Sequence, residues 1–340
     1  MKKIAYSKSV DARSDFVNST FSMLGLEKIA YLAPKKFIPD LTHRIPGASF
    51  HAFEDVVKSN DLFNQADNAT LLVFDRASRY KNITSNVFVR LSRLAAKYEH
   101  KILVDIVPFT ADVQFLYCPL AFIDRGILGY QHWYSFRENN LEVTESGEQI
   151  RAHDHSLLAK KLEPHSTIDY SDFFGNQASV IDCSLLPGEK SEYQALRDKL
   201  FAENKSASPI ITTLADWTNI RESRYAALRD LLSPLTGNVV VYTNLSGHNR
   251  RLKKLFKNVT IKSFYDTNGD EDKYDNVILF EVPIVKSYLF LDVIANIRSD
   301  CPVYIFRGNT TIDKYLFRKM NDEYKSINDF TKVLYEEVNK

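Results

Sequence analysis

An α/β fold built on parallel sheets is predicted by three features of the sequence. Leu71-Leu72-Val73-Phe74, Ile102-Leu103-Val104 and Val239-Val240-Val241-Tyr242 are apolar at every position over strand length. A half-exposed strand alternates, so a strand without alternation is covered on both faces, as in a parallel sheet. Segments with helical spacing of apolar residues separate these runs, as the crossovers of such sheets require. The 340 residues suffice for two domains of ordinary size.

The elements follow in order. Lys3-Ile4-Ala5-Tyr6 reads as a first strand. Ser7 to Leu26 carries Phe16, Phe21, Met23 and Leu24 at roughly helical spacing, with Gly25 as its stop. Ile29 to Ala33 is the next strand, closed by Pro34, and Leu71 to Asp75 and Lys101 to Pro108 are two more. Between these last two, Val87 to Tyr98 reads as an amphipathic helix through Phe88, Leu91, Leu94 and Ala95. In the second half, Ser179 to Cys183, Pro209 to Thr213, Val239 to Asn244, Val259 to Phe264, Asn276 to Phe280 and Pro302 to Arg307 read as strands. Helices are expected over Glu189 to Asn204, Glu222 to Leu232, His248 to Phe256 and Phe290 to Ser299, and a closing one after Thr311 to Leu316 that runs to Glu337.

Composition narrows the function. Apolar residues make up 44% and charged ones 26%, as in a globular protein. Lys+Arg 44 against Asp+Glu 43 leaves a net charge of +1, so no global basic footprint marks a nucleic-acid binder. Three cysteines, Cys118, Cys183 and Cys301, show no paired spacing and fit a reducing compartment. No apolar run reaches membrane-spanning length and no signal peptide is visible, so a cytoplasmic location and no membrane partner are expected. His153-Asp154-His155 lacks a third ligand nearby, and no metal is expected.

Where a strand–turn–helix would cradle phosphate, Ser7-Lys8-Ser9-Val10-Asp11 has neither glycine nor Gly-Lys-Thr. Such a loop needs backbone N–H groups closing on the phosphates and a Lys reaching them. Lys8 is the one candidate substitute, and Asp11 would repel a phosphate.

Leu71 to Asn82 resembles in form the Asp-Glu-Ala-His segment of superfamily-two helicase-like ATPases, the Swi/Snf type in particular. In that family the Asp holds magnesium and the Glu orients the attacking water. Here Asp75 is kept, while the Glu position is Arg76 and the His position is Ser78. Ala33-Pro34-Lys35 resembles the family's second motif, where the loop touches nucleic-acid backbone; it also reads as a strand closed by Pro with Lys35 and Lys36 solvated. Asp105-Ile106-Val107-Pro108 stands where the family has Leu-Thr-Gly-Thr-Pro. Asp112 to Tyr117, Phe122 to Tyr130, Trp133 to Arg137 and Leu162 to Ser166 resemble the following segments in Swi/Snf-type proteins of phage genomes. Phe290 to Ser299 resembles the arginine-finger helix, but its two arginine positions hold Asn296 and Ser299. Arg298 is one residue out of phase, about 100° round the helix. The family's Gly-rich segment is replaced by a short acidic turn, Asp266 to Asp275.

The resemblance implies two RecA-like lobes, residues 1–168 as a degenerate ATP-binding lobe and 169–340 as the second. The expected reading is a pseudo-ATPase scaffold without catalytic residues or cofactor, acting in DNA replication, recombination or packaging. Its vacated cleft would hold Lys8, Asp11, Asp75, Arg76, Asp105 and Asn296, with Arg76 paired to Asp11 or Asp105. Duplex DNA backbone would meet Lys35 and Lys36 on the first lobe and the basic helix with Arg250, Arg251 and Lys254 on the second. A protein partner is also expected, in the host cytoplasm if the chain is phage-encoded. Two alternatives stand beside this reading: a weak residual DNA-dependent ATPase using Lys8 and Asp75, and a purely structural subunit.

Overall fold

The computed structural model describes the chain apart from residues 57, 65, 81, 144–149, 171–177, 204–205, 245, 268–270, 282–286 and 299. Ser299, the second expected finger position, lies outside the described residues. Contacts divide the chain into two units, Met1–Phe173 with Glu323–Lys340, and Phe174–Asp322. The closing helix Ile312–Val338 therefore belongs to both, its residues from Glu323 onward to the first.

The first unit holds the strands β1 (Lys2–Tyr6), β2 (Lys28–Ala33), β3 (Ser49–Ala52), β4 (Thr70–Asp75), β5 (His100–Asp105) and β8 (Ser166–Ile168). They form one sheet in the order β3-β2-β4-β5-β1-β8. Every neighbouring pair is parallel. A separate antiparallel hairpin joins β6 (Leu141–Val143) to β7 (Ile150–Ala152).

β4 is buried at all positions, as its lack of alternation predicts. Leu71 and Val73 face one side with Ile29, Tyr31, Ile102 and Val104, against Val17 of the helix Val10–Leu24. Phe74 faces the other, stacked on Phe122 with ring centroids 5.2 Å apart, and Phe122 meets Phe88 at 5.1 Å. Gly25 ends the first helix in the left-handed region (φ 60°), its N–H donating to Ser22 O. This is the stop that glycine makes cheap.

The second unit holds β9 (Ala178–Cys183), β10 (Val239–Thr243), β11 (Thr260–Ser263), β12 (Asn276–Leu279) and β13 (Val303–Gly308). Their order is β11-β10-β12-β13-β9, again parallel throughout. Val239, Val241, Ile278, Phe280 and Phe306 pack with Tyr225 and Leu228 of the helix Glu222–Leu232 and Leu252 of the helix Ser246–Leu255. Two parallel sheets flanked by helices are the α/β architecture expected of two RecA-like lobes.

One expected strand is a helix. Pro209 to Thr213 lies within the helix Ala207–Asn219. Ile210 and Leu214, four residues apart, put one stripe against Tyr193 and Leu200 of the helix Pro187–Ala202. Pro209 sits in the first turn, where a missing N–H forfeits no helical bond.

Arg224 fixes the carboxyl edge of the second sheet. It is 1% exposed. Its Nε donates to Phe280 O at 2.9 Å, its Nη2 reaches Phe306 O at 3.2 Å, and its Nη1 pairs with buried Asp313. Asp313 also accepts from Gly308 N at 3.1 Å. The group joins the ends of β12 and β13 to the start of the closing helix. Removing one partner strands a buried charge. Asp313→Asn is therefore expected to lower unfolding free energy by about 3–5 kcal/mol, and Arg224→Met with Asp313→Leu by much less. Urea denaturation of both variants measures this. Equal losses would contradict the pairing as the cause.

Candidate functional site

In an open parallel sheet, ligands bind outside the strands' carboxyl ends where the chain leaves in opposite directions. In the first unit this point lies between neighbouring strands β5 and β1. β1 leads back across β5 and β4 to β2, while β5 leads past β1 to β8. Tyr6-Ser7, Asp75 and Asp105 end the three strands there.

The turn after β1 carries the decisive geometry. Ser9 caps the helix Val10–Leu24, its Oγ accepting from Ala12 N at 3.1 Å. Ser7 Oγ accepts from Ser9 N at 3.1 Å and donates to Asp169 Oδ2 at 3.0 Å. The carbonyls of Ser7 and Lys8 turn inward and accept from Arg13 Nη1 at 2.5 and 3.0 Å. A phosphate cradle points N–H groups inward, so this loop has the opposite polarity. Arg13 is 1% exposed, and its Nε faces Asp75 Oδ1 at 3.8 Å. Asp75 Oδ2 accepts from the hydroxyl of buried Tyr31 at 3.3 Å. Burial, then the Asp75 charge, holds the Tyr31 phenol well above its ordinary range, against the opposing pull of Arg13 and Arg76.

The expected cleft residues do not all come together. Asp75 and Asp105 stand together, both buried. Lys8 is half-buried and contributes its carbonyl. Asp11 is exposed and pairs with Arg44, which also reaches Asp40 at 3.2 Å. Arg76 takes a left-handed backbone (φ 59°, ψ 40°), and its N–H donates to Val104 O at 2.9 Å. Its guanidinium carbon lies 3.4 Å from the ring centroid of Phe37. Asp11, one of the two carboxylates expected to pair with Arg76, pairs with Arg44. Asn296 belongs to the second unit, where its side-chain amide donates to Asp292 O at 2.6 Å, one helical turn back.

Asp105 is held by the backbone around it. Oδ2 accepts from Ser78 N at 2.9 Å and Oδ1 from Ile106 N at 2.8 Å. Thr110 Oγ1 donates to Ser78 O at 3.0 Å and fixes that turn. Burial pushes the Asp105 carboxyl up to about 6; the Ser78 N–H opposes this and the nearby Asp75 charge adds to it.

The expected nucleic-acid residues are placed on separate units. Lys35 lies 3.8 Å from Asp55, and its backbone N–H donates to Glu54 at 3.3 Å. Lys36 Nζ sits 4.8 Å from the Phe37 ring centroid. On the second unit, Arg250 and Lys254 are exposed. Arg251 is engaged: its Nη1 donates to Ile220 O at 3.4 Å and its guanidinium lies 4.6 Å from the Tyr225 ring centroid. His153, Asp154 and His155 each have a local use. His153 faces Glu142 at 3.6 Å, Asp154 caps the helix His155–Leu162, and His155 meets Phe330 edge-on at 5.6 Å. Among the described residues no group of three or more His, Cys, Asp or Glu could hold a metal, and no helix is long and apolar enough to cross a membrane.

No family model and no curated protein matches the chain. Among solved structures, it is similar to the Sulfolobus solfataricus SWI2/SNF2 ATPase core in complex with dsDNA, at 11% identity and TM-score 0.44, covering 99% of this chain and 92% of that one. The SWI2/SNF2 ATPase core domain of the same organism gives 11% identity and TM-score 0.39, over 96% and 86%. The Pyrococcus furiosus Hef helicase domain gives 9% identity and TM-score 0.47, over 93% and 95%. These are likenesses of chain architecture.

Arg13 and Tyr31 were not predicted as site residues. A single arginine on the first helix turn reads as solvated, and only the strand order brings it to Asp75.

The Asp105 proton gives a measurable signature. The folded chain holds it more tightly than the unfolded chain, where the group titrates near 3.8. Its contribution to stability is full below about 3.8 and is lost as pH rises through about 6. From about pH 7 down to about pH 4, the wild type should gain up to about 3 kcal/mol relative to Asp105→Asn. Denaturant unfolding across that range tests this, and a flat difference would contradict it.

Proposed function

We propose that this chain is a helicase-like scaffold that performs no nucleotide chemistry and works by binding, with duplex DNA backbone as its partner. The observation that carries this reading is Arg13. Its buried guanidinium takes the Ser7 and Lys8 carbonyls and faces Asp75, so the place for a phosphate is filled by the protein's own cation. Asp75, the residue that would hold magnesium, faces Arg13 at 3.8 Å through Oδ1 and accepts from Tyr31 at Oδ2. The next residue, Arg76, offers no carboxylate to orient water. Phosphoryl transfer rests almost wholly on such positioning and charge stabilisation, and losing single parts costs orders of magnitude.

Backbone binding needs none of those parts. The exposed cations Arg250, Lys253 and Lys254, with Lys257 just beyond their helix, supply it on the second unit. Lys35 is partly offset by Asp55 and contributes less on the first.

Isothermal titration with Mg-ATP should show no micromolar binding that depends on Asp75. Binding or turnover abolished by Asp75→Ala would favour a residual ATPase instead.

Duplex DNA should bind without sequence preference, with log K falling by about 0.9 per neutralised phosphate per log unit of salt. Filter binding should therefore show affinity at about 50 mM salt that is largely gone by about 200 mM. Arg250→Glu with Lys254→Glu should weaken it further. Absence of binding at low salt would leave protein–protein scaffolding as the function.

A further inference from the structure

A concavity of about 550 Å³ lies wholly on the second unit, where β13 passes into the closing helix. Arg307, Lys314 and Arg318 line it together with Thr311, Tyr315 and Asn321. Its volume is in the range of ligand sites. We propose that this groove binds a phosphate group.

Charge placement is the first support. Lys314 and Arg318 are four residues apart, so they share one face of the helix. Like charges at that spacing repel and weaken a helix. Both are exposed, and among the described residues neither pairs with a carboxylate. An anion held between them would turn this repulsion into attraction.

Preorganisation is the second. Arg307 donates Nε and Nη2 to Asp182 at 2.8 Å each, and its guanidinium lies 5.0 Å from the Phe317 ring centroid. Clamped on both sides, it keeps Nη1 outside the Asp182 pair. The Asp182 carboxyl is held below its ordinary range by those hydrogen bonds and by the charges of Arg307 and Lys314, so Lys314 stands close to the same pair.

Donor chemistry selects the ligand. A carboxylate is satisfied by one guanidinium fork. Three cations flanked by the Tyr315 hydroxyl and the Asn321 amide offer donors in several directions, while the Thr311 hydroxyl donates to Gly308 O. That suits an anion with three or four oxygens. Asp322 is the one acid on the lining and limits affinity.

The phosphate could be carried by a nucleic-acid backbone or by a free polyphosphate. The first carrier deepens the binding role proposed above, and the test separates the two. Inorganic tripolyphosphate is titrated calorimetrically into the full chain, and a labelled DNA duplex is followed by anisotropy at low salt. Lys314→Ala with Arg318→Ala, both at exposed positions, should weaken binding about tenfold or more. Asp322→Asn should tighten it, an outcome that misfolding cannot mimic. Loss for both probes supports the site for any phosphate. Loss for the duplex alone assigns the backbone, and loss for tripolyphosphate alone assigns a free polyphosphate. Neither probe bound, or both bound equally by wild type and variants, overturns the site. If Arg250→Glu with Lys254→Glu abolishes duplex binding while the groove variants change nothing, the groove fails and the DNA-binding role stands.

Discussion

A guanidinium taken wholly out of water needs partners for its donors; among the described residues this chain supplies them fully to Arg224 and only in part to Arg13, whose Nε and Nη2 find no hydrogen-bond partner. Arg13 and Arg224 are the largest fully buried side chains among the described residues. Each sits at the carboxyl edge of a parallel sheet, donates to two main-chain carbonyls there and faces a buried aspartate. The carboxyl edge is where strand carbonyls end without a next residue in the ladder. A cation is the natural group to gather those partial negative charges. The same edge is where nucleotide-binding relatives of such sheets place a loop of N–H donors. An inward arginine and an inward phosphate make opposite demands on that loop. The carbonyls of Ser7 and Lys8 satisfy the first.

The two arginines differ in how tightly they are held. Arg224 hydrogen-bonds directly to its aspartate, whereas Arg13 stands 3.8 Å from Asp75, beyond hydrogen-bond length. Asp313 begins a helix and accepts from Gly308, so the second pair also fixes a chain connection. Asp75 ends a central strand and shares its surroundings with Asp105, whose proton is retained up to about pH 6. The two neighbouring carboxylates stand against two buried arginines, Arg13 and Arg76.

The sheets were legible because burial on both faces leaves an unambiguous mark. Leu71 to Phe74 and Val239 to Tyr242 admit no exposed face, and both became central strands. Pro209 to Thr213 shows the limit of that mark. Five residues are too few to separate a buried strand from one turn of a buried helix, and Leu214 decides it only with Tyr193 and Leu200 in view. In the site, Asp75 and Asp105 were legible because each ends an apolar run. Arg13 was not, since the sequence separates it from Asp75 by more than a crossover. The pairing of Asp11 was hidden for the same reason: its partner, Arg44, ends the helix Ile38–Arg44 beyond the next strand.

Near-neutral net charge and a basic binding surface are compatible here because carboxylates are spent locally. Asp75, Asp105, Asp313 and Glu281 are buried and answer internal donors. Asp182 is tied to Arg307, Asp67 to Lys28 and Asp275 to Arg298 and the Asn238 N–H. A carboxylate paired with a cation cancels that cation's field along with its own, so the pairs leave the outer field to the charges that remain unpaired. Exposed lysines and arginines of the helix Ser246–Leu255 face water with few acids among them. What a polyanion meets on approach is the local surface within about one Debye length, roughly 10 Å at 0.1 M salt, and not the sum over the chain. A formal +1 therefore says little against a polyanionic partner, and the distribution of unpaired cations says more.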